Sequence, residues 1–148
     1  MPEEASGPWL AIDYGARVVG VAMAHPMTGS ARPLAPLQHT SAERLDRELG
    51  ELIAEWRPSH IVVGLPLAKD GKESAMSKRI RRFVDQLAAE HPSLDIALQD
   101  ERMTSEMAAR QFADRRRSGR ARRKDAANLD SHAAALILDA WIRDHGLL

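Results

Sequence analysis

The chain has 148 residues, 44% of them hydrophobic, which is typical of a single globular domain that buries a substantial core. Its 21 Lys and Arg residues balance 21 Asp and Glu residues, so the total charge does not indicate any class of partner. The absence of cysteine excludes disulfides, thiolate zinc sites and thiol nucleophiles, and no segment has the ~18 apolar residues of a membrane span or the apolar core of a secretory signal.

The N-terminal part of the chain predicts strands joined by short links. We expect a loose tail over residues 1–8, strands over about 9–14 and 17–24, and a third strand over 34–40. Pro36 cannot donate a ladder hydrogen bond, so the third strand is expected at an edge of the sheet. Three consecutive strands with short connections form an antiparallel meander.

One acid stands at the end of the first predicted strand. Asp13 follows the apolar residues Leu10, Ala11 and Ile12, and a carboxylate in such a position needs a cation, several hydrogen-bond donors or a proton. Asp13 is therefore either a turn residue that accepts hydrogen bonds from backbone amides or a ligand of a positively charged species. The second role requires companion acids elsewhere in the chain.

Helices and strands alternate after residue 40. The predicted order is a helix from the cap Ser41 to before Pro58, a strand over 60–64, a helix capped by Ser74, a strand over 94–99, a helix to about Ala113 and a last helix over about 126–144. The buried stripe of the last helix is expected to consist of Leu129, Ala133, Leu136, Ile137, Ala140 and Trp141. This order predicts one α/β domain over residues 1–148, with a mixed five-stranded sheet flanked by helices.

Two further acids are expected near Asp13. Glu101 follows the fifth strand, and Asp130 lies near the start of the last helix. If the first and fifth strands are parallel and close, Asp13 and Glu101 project from the carboxyl edge of the sheet, where open α/β folds place their sites. Asp100 points to the opposite face from Glu101, so only one of the two can join Asp13. Taken singly, Glu101 could instead pair with Arg102, and Asp130 could stabilise a helix N-terminus.

Three converging carboxylates repel one another unless a divalent ion lies between them. An oxygen-only ligand set without cysteine favours Mg²⁺ or Mn²⁺. Two such ions about 3.5–4 Å apart catalyse phosphodiester cleavage, one by activating a water and the other by neutralising the leaving oxygen. Asp13, Glu101 and Asp130 are therefore the predicted catalytic residues and metal ligands of a hydrolase.

A strongly basic segment precedes the last helix. From Arg110 to Lys124 there are eight basic residues and one acid, Asp114. This run is either a solvated loop or a contact to a polyanion, and its position before Asp130 favours a clamp on nucleic-acid phosphates. We predict a basic loop over 115–124. The predicted nucleic-acid contacts are Arg17, Lys69, Arg102, Arg115, Arg116, Arg117, Arg120, Arg122, Arg123 and Lys124.

Four ordered motifs carry a family resemblance. They are Ile12-Asp-Tyr-Gly15 with Gly20-Val-Ala22, Val62-Val-Gly-Leu-Pro-Leu67 with Asp70-Gly71, Asp100-Glu-Arg102 with Thr104, and Leu129-Asp130 with Ala133-Ala134 and Ile137-Leu138. They resemble the YqgF (RuvX) family of RNase H-like nucleases, which are related to the RuvC Holliday junction resolvases. The resemblance implies an RNase H-like fold and a location in bacterial cytoplasm. It also implies that Asp13, Glu101 and Asp130 occupy the family's three acidic metal-ligand positions.

The resemblance favours a nuclease that matures the 5′ end of pre-16S ribosomal RNA. The alternatives are a Holliday junction resolvase or DNA nuclease of repair and recombination, and a non-catalytic RNA-binding protein of ribosome assembly. Ala127 stands where RuvC-type sites carry a fourth acid. We therefore expect a second metal ion to be held weakly, or to have its coordination completed by water and substrate phosphate. The choices between RNA and branched DNA, and between monomer and homodimer, stay open.

Overall fold

A computed structural model describes residues 7–67, 70–100 and 129–145 of the chain, with the backbone alone described at 129 and 130. The strands are β1 (Trp9–Asp13), β2 (Val18–Ala24), β3 (Arg32–Pro33), β4 (Leu37–Gln38), β5 (His60–Leu65) and β6 (Asp95–Asp100), and the helices are α1 (Ala42–Trp56), α2 (Ala75–Glu90) and α3 (Leu129–Asp144). The helix predicted to end near Ala113 lies outside these residues. No helix in the described ranges combines the length and the apolarity that crossing a membrane requires.

The strands form one mixed sheet in the order β3-β2-β1-β5-β6, with β4 also paired to β2. β2 runs antiparallel to β1, whereas β5 runs parallel to both β1 and β6. This arrangement confirms the predicted α/β architecture with its mixed sheet, in which the first and last described strands run in the same direction.

The third predicted strand is wrong in its extent. The chain forms two short strands instead of one strand over 34–40: β3 pairs with β2 at Ala22 and Met23, and β4 pairs with β2 at Val18 and Val19. Pro33 and Pro36 have no N–H to donate, so a continuous ladder cannot form between them. The described sheet therefore has six strands rather than five.

Helices α1 and α2 cover one face of the sheet and begin at the predicted caps. The Ser41 hydroxyl accepts a hydrogen bond from the Arg44 amide at 3.1 Å. Ser74 forms a reciprocal capping box with Ser77. Helix α1 ends at Arg57, which takes a left-handed conformation with φ 48° immediately before the proline that prevents continuation.

Large aliphatic side chains fill the space between this helical layer and the sheet, which we call the aliphatic core. Its fully buried members include Leu10, Ile12, Ile61 and Val63 from the strands, Leu45 and Leu49 from α1, and Ile80 from α2. Successive residues of a strand point to opposite faces, so every second residue of β1 and β5 enters this core.

Helix α3 covers the other face with alanines and several larger apolar side chains, in what we call the alanine core. This core joins Trp9, Ala11, Ala22 and Val62 of the sheet to Ala134, Ile137, Leu138 and Trp141 of the helix. The predicted stripe is confirmed at Ala133, Ile137 and Trp141 but not at Leu136 and Ala140, which are half-buried. The helix buries a wider arc than predicted because it packs across β1, β2 and β3 rather than on a single strand.

Candidate functional site

Asp13 lies at the carboxyl end of β1, opposite Gly20 of β2. Along β1, Leu10 and Ile12 enter the aliphatic core, whereas Trp9 and Ala11 enter the alanine core. The alternation therefore directs the half-buried Asp13 side chain to the face that α3 covers. This placement agrees with the predicted position of Asp13 at the end of a buried strand.

The carboxyl end of β6 lies at the same edge of the sheet. β5 pairs with β1 at Ile12 and with β6 at Asp100, and all three strands run in the same direction. One strand separates β1 from β6, so their backbones are about 10 Å apart at a strand spacing of about 4.8 Å. The first and last parallel strands are thus close, as the prediction required, although they are not adjacent.

The two acids predicted at the end of this strand are separated by the alternation. Ala97 packs against the alanine core, and the side-chain amide of Gln99 donates a hydrogen bond to the Asp144 carboxylate of α3 at 2.8 Å. Asp100 therefore lies on the opposite face, with Ile96 and the aliphatic core. Glu101 is the next residue and lies outside the described residues.

The direction of α3 brings its N-terminus to the same edge. The Trp141 ring contacts the Trp9 ring with centroids 5.7 Å apart and the His60 ring at 5.4 Å, at the amino ends of β1 and β5. The Ser131 hydroxyl, in contrast, accepts a hydrogen bond from the Val21 amide at 3.1 Å, and Val21 is paired with Ile12. The first turn of α3, which contains Asp130, consequently lies level with the end of β1.

Ser131 was not predicted as a functional residue, and the break in the edge strand explains its role. β3 ends opposite Ala22 and β4 begins opposite Val19, so neither short strand covers Val21. The fully buried Ser131 hydroxyl takes the place of a ladder acceptor for the Val21 amide. The available signal was a serine beside Asp130 in a helix otherwise rich in alanine and leucine.

The turn between β1 and β2 is held from the other face. Tyr14 packs against Phe83 of α2 and against His39, with centroids 4.9 and 5.1 Å apart. The His39 ring nitrogen Nδ1 donates to the Gly15 carbonyl oxygen at 2.8 Å. A Cβ atom at Gly15 would lie 2.2 Å from the Val18 carbonyl oxygen, so only glycine fits this close approach. The rigid turn fixes the backbone of Asp13.

Among the predicted nucleic-acid contacts, Arg17 is exposed in the β1–β2 turn at this edge. The other nine contacts lie outside the described residues: Lys69, Arg102, Arg115, Arg116, Arg117, Arg120, Arg122, Arg123 and Lys124. Within the described ranges, no three His, Asp or Glu side chains are grouped as metal ligands require. Glu101 and the side chain of Asp130 do not belong to those ranges, so the predicted ligand set stays a prediction.

The family model and the related sequences that match this chain agree on one family. The family model described as "RuvX: Holliday junction resolvase" matches residues 7–144. A relative from Burkholderia lata named "Putative pre-16S rRNA nuclease" is 39% identical over 133 residues, covering 90% of this chain and 87% of the relative. A relative of the same name from Xanthomonas oryzae pv. oryzae is 40% identical over 147 residues, covering 96% of this chain and 94% of the relative.

Solved structures share the fold at lower sequence identity. RuvC of T. thermophilus, in complex with a Holliday junction substrate, superposes with a TM-score of 0.56 at 19% identity and covers 95% of this chain and 97% of its own. The fowlpox virus Holliday junction resolvase superposes with a TM-score of 0.58 at 10% identity and covers 93% of this chain and 99% of its own. These neighbours confirm the RNase H-like fold.

Proposed function

The chain belongs to the RuvX family, and on this basis we propose that it is a metal-dependent nuclease acting in 5′-end maturation of pre-16S ribosomal RNA. The observation that carries the proposal is the meeting of Asp13 and the first turn of α3 at one edge and on one face of the sheet. The backbone of Asp130 lies in that first turn, 117 positions from Asp13 in sequence, and we infer that the two carboxylates share one site.

The proposed ligands are Asp13, Glu101 and Asp130. Asp13 and the backbone of Asp130 occupy the shared edge, and Asp100 lies on the opposite face of the sheet, so we assign the third position to the next acid in the sequence, Glu101. Hard carboxylate oxygens suit Mg²⁺ or Mn²⁺. Because Ala127 replaces a fourth acid, a second ion would be held weakly, and water and substrate phosphate would complete its coordination sphere.

Such ions, when bound, supply an activated water and neutralise the leaving oxygen of the cleaved phosphodiester. The other residues of the chain hold the proposed metal ligands in position. The β1–β2 turn holds Asp13, and Ser131 holds the start of α3 against β2. Catalytic carboxylates must keep a fixed separation, because small displacements of reacting groups reduce rates strongly.

Nucleic-acid affinity is proposed to come from Arg17, Lys69, Arg102 and the basic segment over 115–124. These cations contact backbone phosphates, so binding is expected to depend on salt and to show little sequence preference. The names of the relatives favour an RNA substrate. The description of the family model favours a second candidate, resolution of branched DNA, for which a homodimer would match the two-fold symmetry of the junction.

The decisive experiment compares Asp13→Asn with Asp100→Asn. Cleavage of single-stranded RNA, a duplex bearing the 5′ end of 16S RNA and a four-way DNA junction is measured with and without Mn²⁺. We expect Asp13→Asn to lower the rate by roughly 10³-fold or more while binding persists, because loss of a metal ligand removes several kcal/mol of transition-state stabilisation. Asp100→Asn, a matched change on the opposite face, should retain near-normal cleavage.

Three outcomes would overturn parts of this proposal. Equal cleavage by Asp13→Asn and the unaltered protein would remove the assigned chemistry. An unaltered protein that binds RNA tightly but cuts none of the substrates would favour the non-catalytic ribosome-assembly function. Preferential cutting of the junction would replace the rRNA role with junction resolution.

A further inference from the structure

The start of α2 presents an exposed basic surface that the proposed site does not use. Lys78, Arg79 and Arg82 are exposed, and we call this group the α2 basic surface. Helix α2 follows β5, and the Ser74 hydroxyl at its N-terminus donates to the Pro66 carbonyl oxygen at 3.2 Å. The surface therefore begins at the carboxyl edge of the sheet, on the face opposite to that of Asp13.

Neighbouring cations differ from these three in forming ion pairs, although the charge of Lys78 also acts on the Glu73 carboxylate. Arg81 forms a bidentate ion pair with Glu73 at 2.7 and 3.0 Å. Lys72 lies 3.9 Å from the Asp70 carboxylate. Within the part of the chain that the structure describes, the α2 basic surface makes no ion pair.

Its orientation is also favourable for contact with a partner. Lys78 and Arg82 are four residues apart and project away from the side of α2 that buries Ile80 and Leu87. Asp85 is the acid next to this row, one turn after Arg82, so the positive potential is concentrated in the N-terminal half of the helix.

The arrangement is electrostatically unfavourable for the isolated helix. Cations near a helix N-terminus oppose the macrodipole, and like charges four residues apart repel each other. The first turn of α2 contains no acid, whereas the first turn of α1 contains Glu43; Glu73, just before the cap of α2, is paired with Arg81 and offsets only part of the positive charge. An external polyanion would relieve this repulsion and would meet the positive end of the helix dipole together with the side-chain charges.

We propose that Lys78, Arg79 and Arg82 bind phosphates in a duplex arm of the nucleic acid that the catalytic edge cleaves. This inference rests on the proposed nuclease function and extends the binding surface to the second face of the sheet. A helix layer lies about 10 Å from the sheet, and phosphates along one strand are about 3.4 Å apart in projection on the duplex axis. Because the cations project from the outer side of a helix about 10–12 Å in diameter, they lie about 15 Å or more from the sheet, and the arm must continue for more than about four base pairs beyond the cleaved phosphate.

The test uses the full chain with Asp13→Asn, so that substrates stay intact. Binding of RNA hairpins with arms of about 4 and about 12 base pairs is measured by fluorescence anisotropy over a range of salt concentrations. Arg79→Gln/Arg82→Gln should weaken binding of the long hairpin and reduce the slope of log K against log salt by up to about 2, because each phosphate that is no longer neutralised lowers the slope by about 0.9. Binding of the short hairpin should change by less than about twofold.

A matched double variant tests whether any loss of two charges has the same effect. Arg32 and Arg57 are exposed near the amino ends of the strands, because Arg32 pairs with Met23 and Arg57 precedes β5. Arg32→Gln/Arg57→Gln should leave the salt slope for the long hairpin unchanged. Thermal melting should show that both double variants are folded.

The outcomes separate this inference from the proposed function. An unchanged salt slope in Arg79→Gln/Arg82→Gln, or an equal loss for both hairpins, would overturn the assignment of the α2 basic surface, while cleavage by the unaltered protein would still support the nuclease. If the unaltered protein neither binds nor cleaves either hairpin or their DNA counterparts, both proposals fail.

Discussion

The two faces of the sheet are covered in different ways. On one face, α1 and α2 pack large aliphatic side chains against the strands, and each helix begins at a serine cap that bonds within its own first turn. On the other face, α3 packs alanines together with Ile137, Leu138 and Trp141, and it is bound to distant parts of the chain by hydrogen bonds such as that from the Ala31 backbone amide to Asp139.

Two buried serines show what this difference means. Among the described residues, Ser77 and Ser131 are the polar side chains with 0% exposure. Ser77 bonds to Ser74 and Glu73, all within the start of α2, whereas Ser131 bonds to Val21, which is 110 positions away. The aliphatic core therefore provides most of the stability and holds the turn after Asp13 through Tyr14 and Phe83, whereas the side covered by α3 sets the position of the first turn of that helix.

The largest expected loss of stability tests the aliphatic face. Leu49→Ala removes a side chain that is 1% exposed and should lower the free energy of unfolding by about 2–5 kcal/mol. Urea unfolding measures this change. Cleavage per folded molecule should stay within about twofold of the unaltered protein, and a strong loss of activity would contradict the division between the two faces.

A smaller loss of stability but a larger loss of activity is expected on the α3 face. Ser131→Ala leaves the buried Val21 amide without its acceptor, which costs about 1–3 kcal/mol. The start of α3 should shift relative to Asp13, and a shift of this kind can reduce kcat by roughly 10²-fold. Steady-state kinetics at a temperature where the variant is folded would measure the effect.

Ser77→Ala is the matched control for this variant, because it removes an equally buried hydroxyl on the other face. We expect it to lower stability by about 0.5–2 kcal/mol through the loss of the capping box, with cleavage unchanged. If both alanine variants lost activity equally, the special role of the Val21–Ser131 bond would be refuted.

The smallest effects concern two carboxyl groups of the α1–α2 layer that titrate in opposite directions. The hydrogen bond from Arg81 lowers the pKa of Glu73, so its stabilising effect is present above the ordinary pKa of 4.5 and is lost as pH falls through the lowered value. Burial, followed by the charge of Glu90, raises the pKa of Asp46, so ionisation of Asp46 reduces stability as pH rises above 3.8.

Substitutions at these two positions should therefore change the pH profile with opposite signs. Glu73→Gln should have a lower free energy of unfolding than the unaltered protein at pH 7, and the difference should disappear at low pH. Asp46→Asn should have a higher free energy of unfolding at pH 7, and this difference should also disappear at low pH. Urea unfolding between pH 3 and pH 7 measures both differences. Parallel profiles for the two variants would show that the ion pair and the burial have no net effect.

Local signals made much of the fold predictable. Ser41 and Ser74 mark helix starts because their hydroxyls bond amides three residues away, and the run before Asp13 predicts a buried strand because its residues are apolar. These interactions depend on neighbours in sequence. They were sufficient to predict the helix starts, the buried faces of the first two helices and the position of Asp13 at the end of a strand, whereas the parallel direction of the strands was a condition of the argument that the sheet meets.

Non-local interactions set what the sequence did not predict. The division of the edge strand into β3 and β4 depends on where two prolines meet β2, and the wide buried arc of α3 depends on its packing across three strands. Ser131 bonds to a residue so distant in sequence that no local pattern reveals its role. Glu101 and Asp130 are the predicted ligands because one follows a strand and the other begins a helix, and the family resemblance agrees; no local pattern determines where distant acids meet, so these ligand positions stay predictions.

The hydrogen bond between Val21 and Ser131 also bears on when the protein becomes active during its synthesis. At 5–20 residues per second, the ribosome adds Ser131 roughly 6 to 22 s after Val21. Until then, β2 can pair with β1 but lacks the helix that completes this edge of the sheet, so the candidate site is incomplete. The order of synthesis therefore makes the candidate site one of the last parts of the fold to be completed.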